Sequence, residues 1–535
     1  MMEYPLLVII LPVIFAILIY LIRHPMATAL AFVSQGAMLF VGFLYRGDFF
    51  PRGEVSFYIG TFGEGLNIAF KGDEMTYFYS LLLMMMWFSI ILYSWPHRKN
   101  EPHFYFFLLF LQGVFMGILH TRDFFNLFLF IEIATILSAI LIIYKKDGPS
   151  LRAGMYYLVF NTAGILLFLL GLTLLYRLTG TLNMDLAKEI LEESGESRGL
   201  ILIFSLMVVS MGVKSAFFPV YNWLPRAHSV ATSSISAILS GVMVKSGVIG
   251  LYKILTVMPM EGYRVFFMAL GLITALSGLV FGYSQWNMKR LLAFSTISHI
   301  GLILMGFATL GAGQNGGHQG ALIHIANHGI LKILLFLSAG MIIRGYKSYD
   351  LRRIRGIYQK MPSVAFIMGF SILSIVGFPL FLGYQSKAMI GDSLREFPVF
   401  YLGYHVINLG TVMLFSKLLF IYGKDSGSVH PDEKIKTHPL EGYALWVGVG
   451  TGLLMNGIQL TAEGIGALLF SASLGIGSWI TFALYISGAF ILVKWLESKD
   501  LLFEKIRSFE LSFQAANYMM VLFLFLMILW SRGWG

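Results

Sequence analysis

Cysteine is absent from this chain of 535 residues. Without thiols there can be no disulfide bond, no thiolate metal site and no cysteine-bound iron–sulfur cluster. Any redox chemistry would therefore need a separate carrier or another subunit. We predict that the chain holds no cofactor and no metal ion of its own.

Charged residues are also scarce. They make up 12% of the chain, whereas apolar residues make up 57%, a balance typical of an integral membrane protein. Apolar windows of about 18–25 residues, the length that crosses a bilayer as a helix, recur along the whole sequence. They predict membrane spans at residues 4–22, 27–45, 75–95, 103–119, 124–143, 152–175, 200–221, 231–256, 263–284, 292–309, 319–344, 363–385, 397–421, 441–459, 476–495 and 514–531.

The segments between these spans are too short to form an ordinary soluble domain. The net charge of +10 is scattered over short loops, so it does not form the basic patch typical of nucleic-acid binding. Lysine and arginine are about twice as frequent in the loops on one side of the membrane as in those on the other. The richer side is therefore predicted to be cytoplasmic, with both termini on the outer side of the cell membrane.

Two predicted spans carry a proline with a lysine close by. Residues 214–219 read KSAFFP and residues 377–387 read GFPLFLGYQSK, with the polar order reversed. Proline interrupts a helix, and a broken helix survives in a membrane only where protein or a water-filled cavity satisfies the freed backbone groups. Paired breaks indicate inverted repeats around a mid-membrane transport site. We predict N-terminal helices at 1–102, repeats at 103–256 and 263–421, and C-terminal helices at 422–535.

Ionisable residues inside or next to the spans are the candidate proton-translocating groups. A central charge that faces lipid costs roughly 2.5–3.5 kcal/mol on the insertion scale, so these residues should face water, one another or other polar groups. For two of the lysines, both close to a span end, the alternative is a side chain that reaches the membrane surface. The candidates are Glu132, Lys214, Lys245, Lys332, Lys387 and Lys417, of which the last two are the lysines near span ends.

Histidines add to this set. His324, His328 and Lys332 follow at four-residue intervals, so they form one polar stripe on a helix. Histidine titrates near neutral pH, which suits proton transfer along the stripe, and the structural alternative is a buried histidine bonded to carbonyls. His299 lies within a span and extends the stripe if its face matches. His228 follows the break after Pro225, where it lines a path or simply meets the loop.

These motifs resemble the antiporter-like subunits shared by respiratory complex I, membrane-bound hydrogenases and multisubunit Mrp-type sodium/proton antiporters. The matching segments cover about residues 75–421 in the family's order: RDFFNLFLFIE, KSAFFPVYNWLPRAH, SAILSGVMVKSG, KRLLAFSTISHIG, GALIHIANHGILKILLFLSAG and GFPLFLGYQSK. The resemblance implies an all-α polytopic membrane protein with about fourteen core transmembrane helices, two inverted five-helix repeats containing broken helices, and about two extra C-terminal helices. It also implies a hydrated polar axis at mid-membrane.

The resemblance further implies roles for single residues. Glu132 would be the charged partner of Lys214, Lys245 would link the two halves, and Lys387 would end the second half-channel. Separating Lys214 from Glu132 would favour loss of the lysine's proton, because a desolvated ammonium without a counter-ion is disfavoured. His324, His328 and Lys332 would connect these groups.

Two positions depart from the family pattern. Asn287 stands where the family often has aspartate, and Asn222 stands where it often has histidine. Each change removes a titratable group at the mouth of a half-channel.

The resemblance implies an ion-translocating subunit, not itself an enzyme, that moves protons coupled to sodium in an Mrp-type antiporter. Lys387 and the short segment 496–513 favour its D-type member or the hydrogenase counterpart. Expected partners are homologous antiporter-like subunits, small hydrophobic subunits, the lipid bilayer, H+ and Na+, but no nucleic acid. The alternatives are a subunit of a redox-driven pump, a membrane enzyme such as a lipid-processing protease acting through His324 and His328, and a purely structural subunit. Ile325 stands where a zinc protease of that kind would need glutamate.

Overall fold

The computed structural model describes residues 4–22, 24–45, 54–59, 68–194, 198–258, 261–310, 316–424, 435–462, 475–497, 500–508 and 512–532. The first half of the chain forms α1 (Tyr4–Ile22), α2 (Leu30–Leu44), β1 (Glu54–Ile59), β2 (Ile68–Asp73), α3 (Glu74–Arg98), α4 (Pro102–His120), α5 (Phe124–Ile143), α6 (Gly148–Thr179), α7 (Met184–Ser194), α8 (Arg198–Ser215), α9 (Trp223–Val230) and α10 (Ser233–Val257).

The second half is helical throughout its described residues, apart from turns and short connections. It forms α11 (Arg264–Ser284), α12 (Met288–Phe307), α13 (Gly317–Tyr346), α14 (Ile357–Lys360), α15 (Pro362–Val376), α16 (Leu382–Ser393), α17 (Pro398–Leu419), α18 (Pro439–Ala462), α19 (Ile476–Glu497), α20 (Asp500–Ser508) and α21 (Phe513–Arg532). Short 3-10 turns lie at Pro25–Ala29, Glu261–Tyr263, Leu351–Arg353 and Phe420–Tyr422.

Among the described residues, 14 helices are long and apolar enough to cross a membrane. Every predicted span coincides wholly or partly with a helix. Fourteen of the sixteen predicted spans match these 14 helices, and two do not. The predicted span 363–385 is divided between α15 and α16, and the predicted span 441–459 falls on α18. The predicted fold class is therefore confirmed, whereas the division of the chain into domains at 103–256 and 263–421 stays a prediction.

Local sequence explains several helix boundaries. Asp73 caps the start of α3, and Asp147 caps the start of α6. In each case the aspartate carboxylate accepts from the backbone N–H of the residue three positions later, Thr76 or Ser150. The hydroxyl of that residue accepts from the backbone N–H of the aspartate. Such a capping box satisfies two backbone donors that the first turn of a helix leaves open. Helix α6 ends at Thr179 and is capped by Gly180, whose φ of 70° is the left-handed conformation that glycine adopts without strain.

The helices pack into two compact units. The first consists of Met1–Trp223, Met243–Gly262 and Phe513–Gly535, and in it α8 packs against α6, α10 and α21. It also contains the antiparallel hairpin of β1 and β2, whose register runs from Glu54 opposite Asp73 to Ile59 opposite Ile68. The second consists of Leu224–Val242 and Tyr263–Ser512, and in it α12 packs against α11 and α13, while α13 packs against α16.

Both breaks that the prolines predict are present, and they are built alike. Helix α8 ends at Ser215, Ala216 has φ of 58°, and the Phe217 N–H donates to the Gly212 carbonyl at 2.9 Å. Helix α15 ends at Val376, followed by Gly377 with φ of 84° and a bond of 3.0 Å from the Phe378 N–H to the Leu373 carbonyl. The predicted span 200–221 thus ends as a helix six residues early.

Candidate functional site

Lys214, near the C-terminal end of α8, is the centre of a polar cluster in the first unit. Its side chain is buried, and its Nζ donates to Thr135 Oγ1 at 2.6 Å and to Tyr157 OH at 3.1 Å. The Thr135 hydroxyl in turn donates to the Ile131 carbonyl, which leaves its oxygen free to accept from the lysine. The ammonium is therefore held by neutral oxygens from two neighbouring helices.

Glu132 lies one helical turn before Thr135 on α5. Its Oε1 accepts a hydrogen bond of 3.0 Å from Thr162 Oγ1, and its buried Oε2 has no hydrogen-bond partner among the described residues. Glu132 and Lys214 do not form an ion pair within 4.0 Å, so the predicted pairing is not a direct contact in this conformation. Because residues three apart share a helix face, Glu132 lies on the same side of α5 as Thr135, which accepts from the Lys214 ammonium.

Lys245 lies on α10 directly after a π-helical segment, Leu239–Met243, and its side chain is buried. Such π segments occur frequently at functional sites. Two residues on, a Cβ added at Gly247 would lie 2.8 Å from the Lys214 Cβ and 2.5 Å from Ser215 Oγ. The absence of a side chain at Gly247 lets α10 approach the end of α8, so the bases of the two lysines lie on adjacent parts of the packed helices.

Three buried histidines form the centre of the second unit. His299 Nδ1 and His324 Nε2 share a hydrogen bond of 3.0 Å, and their ring centroids are 5.2 Å apart. The His328 ring lies 4.9 Å from His299 and 6.0 Å from His324. The face of α12 that carries His299 therefore matches the stripe on α13, as the sequence requires for an extended stripe.

The stripe continues from His328 towards the C-terminal end of α13. Lys332 Nζ donates to the Leu292 carbonyl at 2.9 Å and to the hydroxyl of Ser295. One turn further, the ring of His228 stacks on Phe336 with centroids 4.6 Å apart. His228 thus lies beside the stripe rather than in a loop. Its imidazole is completely buried.

At the other end, the stripe meets the broken helix. His324 Nδ1 lies 2.9 Å from the hydroxyl of Ser386, the residue before Lys387. The buried Lys387 Nζ donates to the Val376 carbonyl at 3.2 Å, the last carbonyl of α15 before the break. The break therefore supplies the acceptor for the lysine. Polar contacts run without interruption from His299 and His324 to the residue beside Lys387.

Lys417 has a different environment. Its Nζ donates to the carbonyls of Tyr283 and Gln285, at 2.6 and 3.0 Å, and lies 3.7 Å above the centroid of the Trp286 ring. The side chain is buried within the protein, and its ammonium lies at the C-terminal end of α11.

Two buried lysines were missed by sequence reasoning. Lys253 on α10 and Lys289 at the start of α12 both bond backbone carbonyls, Lys289 with a bond of 2.7 Å to Ala231. Lys253 lies within a predicted span, eight residues after Lys245, and that position was the available signal. Its partners could not be read from the sequence, because they lie on a distant helix.

Asp123 and Asn287, which lie just outside the membrane helices, cap the N-termini of α5 and α12. Asp123 accepts from the Asn126 N–H at 2.8 Å. Burial raises the pKa of its carboxyl group, although the backbone N–H groups of Asn126 and Phe125 act in the opposite direction. Asn287 accepts from the N–H groups of Lys289 and Arg290, so its amide serves as the helix cap where the family often has a carboxylate. Asn222 lies half-buried between α8 and α9.

No group of three or more His, Cys, Asp or Glu side chains within the described residues is arranged to hold a metal ion. What the arrangement offers is a set of ionisable groups on apolar helices, bonded to hydroxyls, carbonyls and one another. Fold and site together define a polytopic membrane protein with a buried polar cluster in each of its two units.

Residues 121–406 match the family model described as NADH:quinone oxidoreductase/Mrp antiporter, TM, and the chain belongs to that family. A putative antiporter subunit mnhA2 from Staphylococcus saprophyticus is 30% identical over 378 residues, 67% of this chain and 47% of that protein. The D-type member of the Na(+)/H(+) antiporter of Alkalihalophilus pseudofirmus is 28% identical over 425 residues, 77% of this chain and 84% of that protein. This chain therefore aligns with about half the length of the Staphylococcus relative and with most of the Alkalihalophilus relative.

Among solved structures, the chain is similar to one in the membrane-bound sulfane sulfur reductase, an archaeal respiratory membrane complex. The TM-score is 0.78 at 21% sequence identity, covering 91% of this chain and 99% of the other. At that identity the likeness establishes the fold. The resemblance inferred from the sequence motifs is confirmed.

Proposed function

We propose that this chain is an ion-translocating subunit of an Mrp-type Na+/H+ antiporter and moves protons along its buried polar residues in exchange for Na+. The observation that carries the proposal is the series of buried polar groups from Lys332 and Ser295, through the three histidines, to Ser386 and Lys387. Buried charges inside a membrane are costly, and they persist where they serve ion movement. The names of the aligned relatives support the antiporter assignment.

The proposed first step takes place at Lys214. Its ammonium alternates between Glu132, which stabilises the charge, and the neutral oxygens of Thr135 and Tyr157, which stabilise it less. Loss of the counter-ion would release the proton. Its contacts with Thr135 and Tyr157, one turn from a carboxylate with an unpartnered oxygen, support such a two-position lysine.

Transfer then proceeds, in our proposal, to Lys245 and on through Lys332, His328, His299 and His324 to Lys387. A histidine with one donor and one acceptor nitrogen can receive a proton on one side and release one on the other. The bond between His299 and His324 and that between His324 and Ser386 provide this pattern at adjacent positions. We assign no proton transfer to Lys417, which bonds the last carbonyls of α11, whereas Lys387 follows Ser386, which bonds the histidine stripe.

The wider setting belongs to the same proposal. The chain would lie in the cell membrane with both termini outside, and it would work with homologous antiporter-like subunits and small hydrophobic subunits. Two repeats at about 103–256 and 263–421 would form two half-channels of opposite orientation.

The test uses inverted vesicles that contain the intact complex, with wild type beside Lys214→Ala. A sodium pulse without an electron donor should move protons in wild type and not in the variant. Equal proton movement in both, at equal amounts of protein in the membrane, would refute the proposal.

A second candidate function is a subunit of a redox-driven proton or sodium pump. It is favoured by the matching family description, which covers NADH:quinone oxidoreductase as well as Mrp antiporter. In the same vesicles this function gives proton movement only after an electron donor is added, still lost in Lys214→Ala.

A further inference from the structure

Lys253 binds the end of a neighbouring helix in the first unit. It lies on α10, its side chain is 6% exposed, and its Nζ donates to the Leu119 carbonyl at 3.0 Å and to the Thr121 carbonyl. Leu119 is the next-to-last residue of α4, and Thr121 is its C-terminal cap. The lysine thus joins α10 to the turn between α4 and α5.

Lys417 makes the same arrangement in the second unit. It lies on α17 with 5% exposure, and its Nζ donates to the carbonyls of Tyr283 and Gln285. Tyr283 is the next-to-last residue of α11, and Gln285 is its C-terminal cap. The two lysines therefore bond carbonyls at identical positions relative to the ends of two helices.

The turns that they bind are also alike in a second respect. The turn after α4 pairs with the segment after α6 through Phe124 N–H to Leu182 carbonyl and Met184 N–H to Arg122 carbonyl, each 2.9 Å. The turn after α11 pairs with the segment after α13 through Met288 N–H to Tyr349 carbonyl, 2.9 Å, and Leu351 N–H to Trp286 carbonyl, 3.0 Å. Each turn is therefore fixed by a short backbone bridge and by a buried lysine.

Elementary electrostatics explains this arrangement. The last carbonyls of a helix have no partner within the helix and carry partial negative charge. A buried ammonium needs hydrogen-bond acceptors to offset its desolvation. Each group satisfies the other: the carbonyls stabilise the protonated lysine, and the lysine satisfies the carbonyls. A group that keeps its proton holds structure in place and does not relay protons.

What each lysine holds in place bears on the polar axis. The turn bound by Lys253 begins α5, which carries Glu132 and Thr135, and Lys253 itself shares α10 with Lys245. The turn bound by Lys417 begins α12, which carries His299. Movement of either turn would displace these groups along or around their helices.

We propose that Lys253 and Lys417 are a matched pair of positioning residues, the lysine clamps, which set α5 and α12 so that Glu132 and His299 meet their partners. The clamps keep their protons and act through those residues. The turn after α11 has a second side-chain bond besides that of Lys417. The Ser284 carbonyl, which lies between the two carbonyls bound by Lys417, accepts from Arg507 Nε at 2.7 Å. Loss of Lys417 should therefore be tolerated better than loss of Lys253.

The test compares arginine and methionine at each clamp, in the intact complex in vesicles. Arginine still donates to carbonyls but cannot lose its proton, whereas methionine keeps only the apolar stem. We expect Lys253→Arg to transport within about threefold of wild type per folded molecule and Lys253→Met to lose at least tenfold, with a smaller loss for Lys417→Met. Lys188→Met, whose side chain is 46% exposed in wild type, is the matched control and should transport as wild type does.

Two results would refute the proposal that the lysine clamps are positioning residues. If Lys253→Arg and Lys417→Arg fold but transport no better than the methionine variants, the lysines release protons and belong to the relay. If Lys253→Met and Lys417→Met transport normally per folded molecule and only the amount of folded protein falls, the lysines have no positioning role. Should one arginine variant fail to fold, the comparison at the other clamp decides.

The transport readout rests on the proposed function, and the two can fail separately. Equal proton movement in wild type and Lys214→Ala would refute the proposed function only. The clamps would then be judged by the thermal midpoint of the purified complex, which methionine should lower and arginine restore. Midpoints unchanged by methionine would overturn the clamps on their own.

Discussion

Gly247→Ala should disturb Lys214 by moving the backbone beside it. The added Cβ would lie 2.5 Å from Ser215 Oγ and 2.8 Å from both the Ser215 nitrogen and the Lys214 Cβ, whereas ordinary contacts begin at 3.4 Å. Two of these three atoms belong to the main chain or the base of a side chain, so α8 and α10 must separate by about 0.6 Å. Overpacking of this kind costs about 1–3 kcal/mol, partly offset by the ~0.5–1 kcal/mol that alanine gains over glycine in a helix.

Gly250→Ala is the matched control on the same helix. Its added Cβ would lie 2.4 Å from the sulfur of Met211, the flexible end of a side chain, and its next contacts are at 3.6 Å. Methionine adapts readily to such changes. We expect this variant to unfold at or slightly above the wild-type temperature and to transport normally.

The assay is sodium-dependent proton movement per folded molecule, together with the thermal midpoint. A shift of about 0.6 Å stretches bonds that now measure 2.6 and 3.1 Å at Lys214, so we expect Gly247→Ala to transport at least tenfold more slowly, about 1.4 kcal/mol. Equal transport by the Gly247 and Gly250 variants would refute the reasoning.

Three further outcomes are expected. Tyr157→Phe removes one of the two acceptors of Lys214, so it should weaken the hold on the ammonium by about 1.5–3 kcal/mol and slow transport about tenfold, measured in the same vesicles. His299→Phe keeps a ring but loses the bond to His324, so proton movement should cease while the complex still assembles, as judged by its elution on size exclusion. Burial raises the pKa of Asp123 above its ordinary value of 3.8, so the stability from this group is complete below that value and is lost as the pH rises through the raised pKa. Asp123→Asn keeps the helix cap but has no carboxyl group to titrate. Its thermal midpoint should therefore rise relative to that of wild type as the pH rises from about 4 to 7. A difference between the two midpoints that stays constant with pH would contradict the raised pKa of Asp123.

The spans, the breaks and the burial of the charged residues could be predicted from sequence. Each depends on local properties: the length of an apolar run, the missing N–H of Pro219 and Pro379, and the cost of a charge in hydrocarbon. The alignment of His299 with the stripe on α13 required only that two helix faces match. The end of α8 at Ser215 differed from the predicted span because hydropathy does not register a change of backbone direction.

The partners of the lysines could not be predicted, because they depend on how helices pack. Lys214 bonds Thr135 and Tyr157 rather than Glu132, and hydropathy and composition do not distinguish between these partners. Lys253 could be found from its position within a span, but its acceptors could not, because they are backbone carbonyls more than a hundred residues away and a carbonyl has no sequence signature. Lys417 shares that limitation.

The central claim is that protons move through the second unit along the histidine stripe to Lys387. The most direct measurement is sodium-dependent proton movement in vesicles containing the intact complex with Lys387→Met, at wild-type amounts in the membrane. Methionine retains the apolar stem and removes the ammonium that meets the Val376 carbonyl, so the account predicts that proton movement is lost. Proton movement at the wild-type rate would contradict it.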